Sequence, residues 1–200
     1  MRKVIISEFL TLDGVMQAPG GSDEDREGGF EHGGWQMSYF DDAAGSAVAE
    51  GFGKAGGLLL GRKTYEIFAA YWPNQPADDP FVGTMNSLPK FVASRTLEEP
   101  LKWENSTLLT GDVAGEVAKL KEQPGGDLQV IGSGDFAQTL MRESLVDEFQ
   151  IMVHPLALGS GKRLFRDGGP RIPLRLVDTK TTTTGVLILR YQPAAEKAAG

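Results

Sequence analysis

Eight short apolar runs, separated by polar and glycine-rich segments, constrain the fold of this chain more than any other feature. They cover residues 4–6, 58–60, 91–93, 108–109, 128–131, 149–153, 174–177 and 186–189. Runs of this length between turn residues are typical of buried strands, and several of them alternate with helical patterns. Strands that alternate with helices form a largely parallel sheet with helices on its faces. The sequence therefore predicts a single three-layer α/β/α domain with a mixed sheet of about eight strands.

The helical segments carry their own start and stop signals. Apolar residues repeat on one helical face at Ala44, Val48 and Phe52, at Val113, Val117 and Leu120, and at Phe136 and Leu140. The candidate N-caps are Asp41 or Asp42, Asp112 and Asp135, and the candidate stops are residues 56–57 and 124–126. No helical pattern follows Val146, so the last three strands must pair largely antiparallel. We expect one domain over residues 1–192 and a flexible tail over residues 193–200.

Composition narrows the function more than it narrows the fold. The 200 residues carry a formal net charge of −7, which argues against nucleic acid or an anionic membrane as a partner, because both attract clustered cations. The chain has no cysteine, and its two histidines, His32 and His154, lie far apart, so we expect no metal site. The first residues lack the apolar core of a signal peptide. These features predict a cytoplasmic protein that binds a small molecule.

Two of the predicted strands end in residues that suit a phosphate group. Gly61 follows three leucines and opens a helix whose first turn carries Arg62, Lys63 and Thr64. Free N–H groups and the helix dipole favour an anion at such a start, and a guanidinium suits a terminal phosphate. Similar residue types follow the next strand, at Ser94, Arg95 and Thr96. Each segment alone is also compatible with an ordinary βα connection that carries solvated cations.

A third strand runs into a glycine-rich turn and then a helix. The turn and the first helical residues are Gly132, Ser133, Gly134, Asp135 and Phe136. Glycines let the backbone approach a diphosphate closely, although the pattern falls short of GxGxxG and such turns also occur without a ligand. Together the three turns predict a dinucleotide site, and the extra cations favour NADPH over NADH.

The segment after the first predicted strand has two interpretations. Asp13 and Gly14 suit a simple turn, but polar residues at this point could also face a nicotinamide ring and its substrate, which makes Thr11 a candidate cofactor contact. Residues 19–34 then form an irregular, mobile loop near the strand ends where ligands bind in α/β folds. The sequence has no GxSxG and no P-loop motif, which disfavours acyl and phosphoryl transfer.

These blocks, in this order, resemble the dihydrofolate reductase-like superfamily and, more closely, the reductase domain of the riboflavin-biosynthesis deaminase-reductase. The matching blocks are Thr11-Leu12-Asp13-Gly14, Gly61-Arg62-Lys63-Thr64-Tyr65-Glu66, Ile131-Gly132-Ser133-Gly134, and Leu145-Val146-Asp147-Glu148 followed by Pro155 and Gly159-Ser160-Gly161. The resemblance spans residues 3–191. It implies NADPH as the cofactor and hydride transfer to a C=N or C=O bond of a small heterocycle such as 5-amino-6-(5-phosphoribosylamino)uracil. It also implies a homodimer, which would cover the apolar strands 149–153 and 186–189.

The chain departs from these relatives where they recognise their substrates. Riboflavin-type reductases carry a lysine where this chain has Ser7, and dihydrofolate reductases place a carboxylate early in the first long helix, where Asp41 falls. Asp13 and Asp41 are the candidate catalytic groups, although a turn former and a helix cap are the simpler explanations. The candidate substrate-binding residues are Trp35, Tyr39, Phe68 and Tyr71. The alternatives are a dihydrofolate or pterin reductase and a protein that binds NADPH without turnover.

Overall fold

A computed structural model of the protein describes residues 1–194 as one eight-stranded sheet with five α-helices. The strands are β1 (Val4–Thr11), β2 (Ala55–Gly61), β3 (Lys90–Ala93), β4 (Ser106–Leu109), β5 (Asp127–Ile131), β6 (Glu148–His154), β7 (Leu174–Thr181) and β8 (Leu187–Pro193). The helices are α1 (Asp42–Phe52), α2 (Arg62–Tyr71), α3 (Pro80–Ser87), α4 (Val113–Glu122) and α5 (Gly134–Arg142). Each of the eight predicted runs coincides with a strand. Across residues 1–194, no helix is both long enough and apolar enough to cross a membrane.

The strand order of the sheet is β4-β3-β2-β5-β1-β6-β8-β7. The six strands from β4 to β6 are parallel, whereas β8 pairs antiparallel with both β6 and β7. This arrangement confirms the predicted mixed sheet with antiparallel C-terminal strands. The central strand β1 aligns Ser7 with Ile131 of β5 on one side and with Gln150 of β6 on the other.

Helices cover both faces of the sheet and bury two separate apolar layers. On one face, α4 and α5 pack Val117, Leu120 and Leu140 against β1, β5 and β6. On the other face, residues of α1, α2 and α3 pack against β2 and β3. Leu58, Leu59 and Leu60 are fully buried because the parallel strand β2 is covered on both sides. The three-layer prediction is therefore confirmed.

Most helix starts follow the predicted capping residues, with one correction. Asp41 accepts the N–H of Ala44 at 2.9 Å and caps α1, and Asp112 accepts the N–H of Gly115 at 3.0 Å and caps α4. The prediction of Asp135 as the cap of α5 is wrong. The left-handed residue Ser133, at φ 54°, ends the glycine turn two residues earlier, so Asp135 falls in the first helical turn.

The sequence patterns did not predict one of the five helices. The helix α3 begins at Pro80, and the Asp79 carboxylate accepts the N–H of Phe81 at 2.8 Å. An aspartate cap followed by proline in the first helical position is a start signal. The helix has only eight residues, and its apolar residues are too few to stand out as a periodic face.

The C-terminal strands complete the sheet within one chain. The strand β8 runs to Pro193, and the N–H of Ala194 donates to Pro173 O at 2.8 Å, so the first two residues of the predicted tail are held to the sheet. The remainder of that tail lies outside the described residues. The strands β6 and β8 have neighbours on both sides, and Phe149 and Val186 are fully buried. Both edges of these strands are therefore paired within the chain, and the homodimer stays a prediction.

Candidate functional site

A large cleft opens where β2, β3 and β5 end and continues toward α1 and β8. The whole cavity has a volume of about 2440 Å³, and the turns after all three strands line it. Parallel strands bring their carboxyl ends to one edge of a sheet, which is where ligands bind in open α/β folds. The cleft brings together twelve of the thirteen predicted cofactor-binding residues: Gly61, Arg62, Lys63, Thr64, Ser94, Arg95, Thr96, Gly132, Ser133, Gly134, Asp135 and Phe136. Thr11 does not line it.

The turns after β2 and β5 are joined by hydrogen bonds. The N–H of Ser133 donates to Thr64 Oγ1 at 2.8 Å, and the N–H of Gly61 donates to Ser133 Oγ at 2.9 Å. Gly132 has φ 54°, and a Cβ there would lie only 2.8 Å from Thr64 Oγ1. Thr64 and Ser133 thus hold the two helix starts side by side, and the Thr64 hydroxyl can still donate its own proton to a ligand.

Both helix starts offer backbone donors to the cleft. The first intrahelical bond of α5 runs from the N–H of Ala137 to Ser133 O at 2.9 Å, so the N–H groups of residues 134–136 have no partner within the helix. The helix α2 begins after Gly61 without a side-chain cap. Two adjacent helix starts, each with free N–H groups and a positive dipole end, form a strong site for a diphosphate.

The predicted cations lie at these strand ends, and two of the three have acidic partners. Arg62 Nη1 donates to Glu66 Oε2 at 2.8 Å within α2. Lys63 contacts Glu27 of the loop 19–34. Arg95 is exposed beyond the end of β3, where Ser94 Oγ shapes the turn by accepting the N–H of Thr96 at 3.1 Å.

The segment after Gly161 adds cations to the cleft that were absent from the predicted site. Lys162, Arg163 and Arg166 line the opposite wall. Arg166 Nη1 donates to Asp135 Oδ1 at 2.5 Å, and a Cβ on Gly134 would lie 2.9 Å from Arg166 Nη2. Arg166 therefore lies directly over the glycine turn. The signal was the group of three cations within five residues after Gly161, a segment whose glycines alone matched the family pattern.

The loop 19–34 connects the two walls of the cleft through its acidic residues. Glu27 contacts both Lys63 and Lys162, and Lys162 Nζ also lies 2.5 Å from Asp25 Oδ2. Hydrogen bonds from Lys162 and Lys63 lower the pKa of Glu27 to about 2. A carboxylate therefore already lies beside the lysine that was predicted to bind phosphate. Any phosphate at Lys63 must compete with Glu27.

Asp13 and Thr11 do not line the cleft. Asp13 accepts the Thr11 hydroxyl at 2.5 Å and the N–H groups of Gly159 at 2.8 Å and Leu158 at 3.2 Å. These hydrogen bonds, led by that of Thr11, lower the pKa of Asp13 to about 2. Asp13 is thus an ionised group that joins the end of β1 to a later loop, and it cannot supply a proton at neutral pH. The geometry supports the turn-former interpretation.

Asp41 is likewise placed outside the cleft. Besides capping α1, its carboxylate accepts the hydroxyl of Thr183 at 2.6 Å and the backbone N–H of the same residue at 2.9 Å. The Thr183 hydroxyl is the largest cause of the lowered pKa of Asp41. The helix-cap interpretation accounts for these contacts, and Asp41 does not line the cleft.

The predicted substrate-binding residues separate into two pairs. Phe68 and Tyr71 line the cleft from α2. Trp35 and Tyr39 do not, because they pack edge-on against the buried ring of His154, with centroid separations of 5.0 and 6.0 Å. These two residues belong to the apolar clusters beside α1. Their rings bury apolar area there by packing against other rings.

A buried carboxyl on β1 was also missed. Glu8 is only 6% exposed, and it lines the cleft. Oε1 of Glu8 has no hydrogen-bond partner among residues 1–194. Burial raises its pKa well above the ordinary value, and the nearby Glu24 adds to this effect. The signal in the sequence was a single acidic residue within the apolar central strand.

The neighbouring residue, Ser7, forms hydrogen bonds within the sheet. Its hydroxyl donates to Gln129 Oε1 at 2.8 Å and lies 3.4 Å from Gln150 Oε1. Gln129 in turn donates to Gly51 O at 3.2 Å, at the end of α1. Where the riboflavin-type relatives carry a lysine, this chain therefore has an uncharged hydrogen-bonded group.

The strand order and the cleft define a dihydrofolate reductase-like domain. Residues 2–188 match the RibD C-terminal domain, and the chain belongs to that family. Two proteins of Bacillus subtilis (strain 168) are similar over nearly their whole length. YyaP is 30% identical over 194 residues, covering 95% of this chain and 94% of YyaP, and YwjB is 25% identical over 179 residues, covering 90% and 91%.

Solved structures show the same fold at lower identity. A putative riboflavin biosynthesis protein from Shewanella sp. PV-4 superposes with a TM-score of 0.74 at 22% identity, covering 96% of this chain and 99% of that one. A pyrimidine reductase-like protein from Corynebacterium diphtheriae superposes with a TM-score of 0.64 at 10% identity, covering 98% and 93%. The family assignment makes this chain a reductase-like domain related to riboflavin biosynthesis.

Proposed function

We propose that the protein is an NADPH-dependent reductase that transfers a hydride to a C=N or C=O bond of a small heterocycle. The observation that carries the proposal is the pair of helix starts locked together by Thr64 and Ser133 in one cation-lined cleft. An aminopyrimidine of the 5-amino-6-(5-phosphoribosylamino)uracil type is the first substrate class to test, because the chain belongs to the RibD C-terminal domain family.

The residues at the cleft fit a phosphorylated dinucleotide. Gly132 lets the turn after β5 pack closely against Thr64, and the free N–H groups of residues 134–136 then offer donors to a diphosphate. Arg62, Lys63 and Arg95 provide cations for a further phosphate on the side of β2 and β3. Phe68 and Tyr71 add an apolar wall for a planar ring.

The chain's own residues then have definite tasks. The helix starts and cations hold the phosphates, and apolar groups such as Phe9 and Met16 in the cleft wall exclude water from the reacting ring. NADPH, when bound, supplies a hydride from C4 of its nicotinamide ring. The substrate carbon accepts that hydride, and its nitrogen or oxygen takes up a proton. Neither Asp13 nor Asp41 can donate this proton directly, because neither lines the cleft.

A protein that binds NADPH without turnover is the second candidate. It is favoured by the uncharged, hydrogen-bonded Ser7 where riboflavin-type reductases carry a lysine. Steady-state oxidation of NADPH with an aminopyrimidine, a pterin or a small carbonyl compound would exclude this candidate.

Titration with NADPH and with NADH tests the proposal. Trp72 lines the cleft, whereas Trp35 and Trp103 are buried in the core, so quenching of tryptophan fluorescence reports binding. We expect Arg62→Ala to weaken NADPH binding about tenfold and to leave NADH binding nearly unchanged, because a charge-assisted contact with the extra phosphate is lost. The matched control is Arg175→Ala on β7, whose side chain bonds Gln192 away from the cleft.

Two results would count against the proposal. If the unmodified protein binds neither nucleotide, the cleft does not hold a dinucleotide. If Arg62→Ala weakens NADPH and NADH equally, Arg62 does not recognise the extra phosphate.

A further inference from the structure

Glu8 is an acid in the cleft wall that the fold leaves without a partner. It lies on β1 between Ile6 and Leu10, and successive side chains of a strand alternate, so it shares their face of the sheet. Both neighbours belong to the apolar layer under α5. Oε1 of Glu8 is buried and accepts no hydrogen bond from residues 1–194. A buried polar atom of this kind is costly to the folded state unless a ligand or a proton satisfies it.

The charged groups around Glu8 favour its neutral form. Glu24 of the loop repels a charge on Glu8, and its own carboxylate accepts the N–H groups of Gly20 and Gly21. Ion pairs lie on the neighbouring elements: Asp25 and Glu27 with Lys162, Asp13 with Arg163, and Asp135 with Arg166. Arg142, Glu143 and Asp167 also line the cleft. No cation pairs with Glu8 among the described residues, and burial raises its pKa.

The strand order places Glu8 at the end of the cleft opposite the phosphate-type cations. The order β3-β2-β5-β1 puts Arg62, Lys63 and Arg95 on one side of the glycine turn after β5 and Glu8 on the other. Ser7 aligns with Ile131, which directly precedes Gly132, so Glu8 lies level with the turn about 4.8 Å away in the strand-to-strand direction. A dinucleotide with its diphosphate at the turn and its extra phosphate over β2 and β3 extends its other ring toward β1.

We propose that Glu8 binds the carboxamide of the nicotinamide ring through its neutral carboxyl group. A carboxylic acid offers one O–H donor and one carbonyl acceptor, which match the carbonyl and the NH₂ group of a primary amide. Glu8 thus positions the ring and selects a nucleotide that carries an amide. This role rests on the proposed function, because it requires a nicotinamide nucleotide in the cleft.

Two ligands and two substitutions test this role. The ligands are NADPH and 2′-phospho-ADP-ribose, which carries the same phosphates but no nicotinamide ring. We expect Glu8→Leu to weaken NADPH binding at least about tenfold and to change 2′-phospho-ADP-ribose binding less than about twofold. Glu8→Gln keeps one donor and one acceptor at the same place, so NADPH binding should stay within about threefold of the unmodified protein.

The pH dependence of binding provides a second signature. Deprotonation of Glu8 removes its O–H donor and places a charge beside the ring, so NADPH binding to the unmodified protein should weaken as the pH rises through the raised pKa of Glu8. The Glu8→Gln variant has no group to titrate at this position and should lose that dependence. Titration of 2′-phospho-ADP-ribose over the same pH range corrects for changes at the phosphates.

Thermal unfolding of the free variants separates binding from folding. Glu8→Leu removes no hydrogen bond at Oε1, so its Tm without ligand should equal or exceed that of the unmodified protein. The role of Glu8 is overturned if Glu8→Leu binds NADPH as tightly as the unmodified protein, or if it loses both ligands equally. If the unmodified protein binds neither ligand, the proposed function itself fails.

Discussion

Two carboxyls on or just after the first strand show how neighbours decide the chemistry of a residue. Asp13 accepts a hydroxyl and two backbone N–H groups, which lower its pKa to about 2. Glu8, five residues earlier, has no partner at Oε1, and burial raises its pKa. The two groups have the same functional chemistry in solution. The fold keeps Asp13 ionised at neutral pH and favours the neutral form of Glu8.

Gly132 is the residue at which the shape of the turn can be tested. It combines φ 54° with a Cβ position 2.8 Å from Thr64 Oγ1, so alanine there is strained and crowded. We expect Gly132→Ala to lower the free energy of unfolding by about 2 kcal/mol, measured by urea denaturation. The same change should weaken NADPH binding, because Thr64 and Ser133 must move apart.

Gly83→Ala is the matched control for that substitution. Gly83 lies within the helix α3 with open space around it, and alanine is the better helix former. It should therefore raise the free energy of unfolding by about 0.5–1 kcal/mol. Equal stability of Gly132→Ala and the unmodified protein would show that the turn can relax around a side chain.

At the scale of elements, the loop 19–34 forms ion pairs with residues on both sides of the cleft. It packs on an apolar cluster that includes Val15, Phe30 and Trp35, and the indole N–H of Trp35 donates to Gln17 O at 2.8 Å. Its acidic residues then reach Lys63 of α2 and Lys162 of the opposite wall. The loop sequence indicated irregular structure, but its opposite charges lie 36 and more residues away along the chain.

Glu27→Gln tests whether this bridge competes with ligand phosphates. We expect inorganic phosphate and NADPH to bind about threefold more tightly to this variant, because two lysines lose a competing carboxylate. The gain should vanish at high salt, which screens exposed charges. Because the pKa of Glu27 is lowered to about 2, its contacts form above the ordinary pKa of 4.5 and are lost as the pH falls through about 2. Glu27 itself therefore stays ionised between about pH 5 and 9, and a change of the effect within this range reports titration of the ligand phosphate.

Glu31→Gln controls for the change in net charge. Glu31 is exposed in the same loop, and it does not line the cleft. It should leave phosphate binding unchanged. If Glu31→Gln tightens binding as much as Glu27→Gln, the contacts of Glu27 do not compete with the ligand.

At the scale of the whole molecule, the sheet ends in an open edge. The strand β7 is the outermost strand, and its residues are mostly exposed. Leu176 of β7 is 47% exposed, and Leu187 of β8 is 40% exposed. An open strand edge with exposed leucines is suited to pairing with a second copy. The edge strand β7 and the exposed Leu187 of β8 together give a reason to expect a dimer.

We propose a homodimer on this basis. Sedimentation at micromolar concentration should give twice the chain mass of 21.6 kDa. Leu176→Lys should shift the protein toward the monomer, because a lysine at a strand edge opposes pairing. The exposed Thr179→Lys, on the same strand, tests whether apolar contact or charge matters more. A monomer mass for the unmodified protein would reject the homodimer.

The sequence by itself determined the layers of this protein and the turns that build its cleft. Apolar runs and helical periodicity depend on neighbours within a few residues, so they predicted all eight strands and four of the five helices. The glycine, threonine and cation patterns after β2, β3 and β5 are equally local. Parallel strands necessarily bring such turns to one edge, and twelve of the thirteen predicted cofactor-binding residues line the cleft.

Only the tertiary structure decided which polar and aromatic side chains face that cleft. Asp13 is held by Leu158 and Gly159, Asp41 by Thr183, and Trp35 by His154, all more than one hundred residues away along the chain. Glu8 was left unpartnered by the same long-range packing. A side chain's exposure, pKa and partners depend on groups that folding brings together, and local sequence patterns carry no information on those distances.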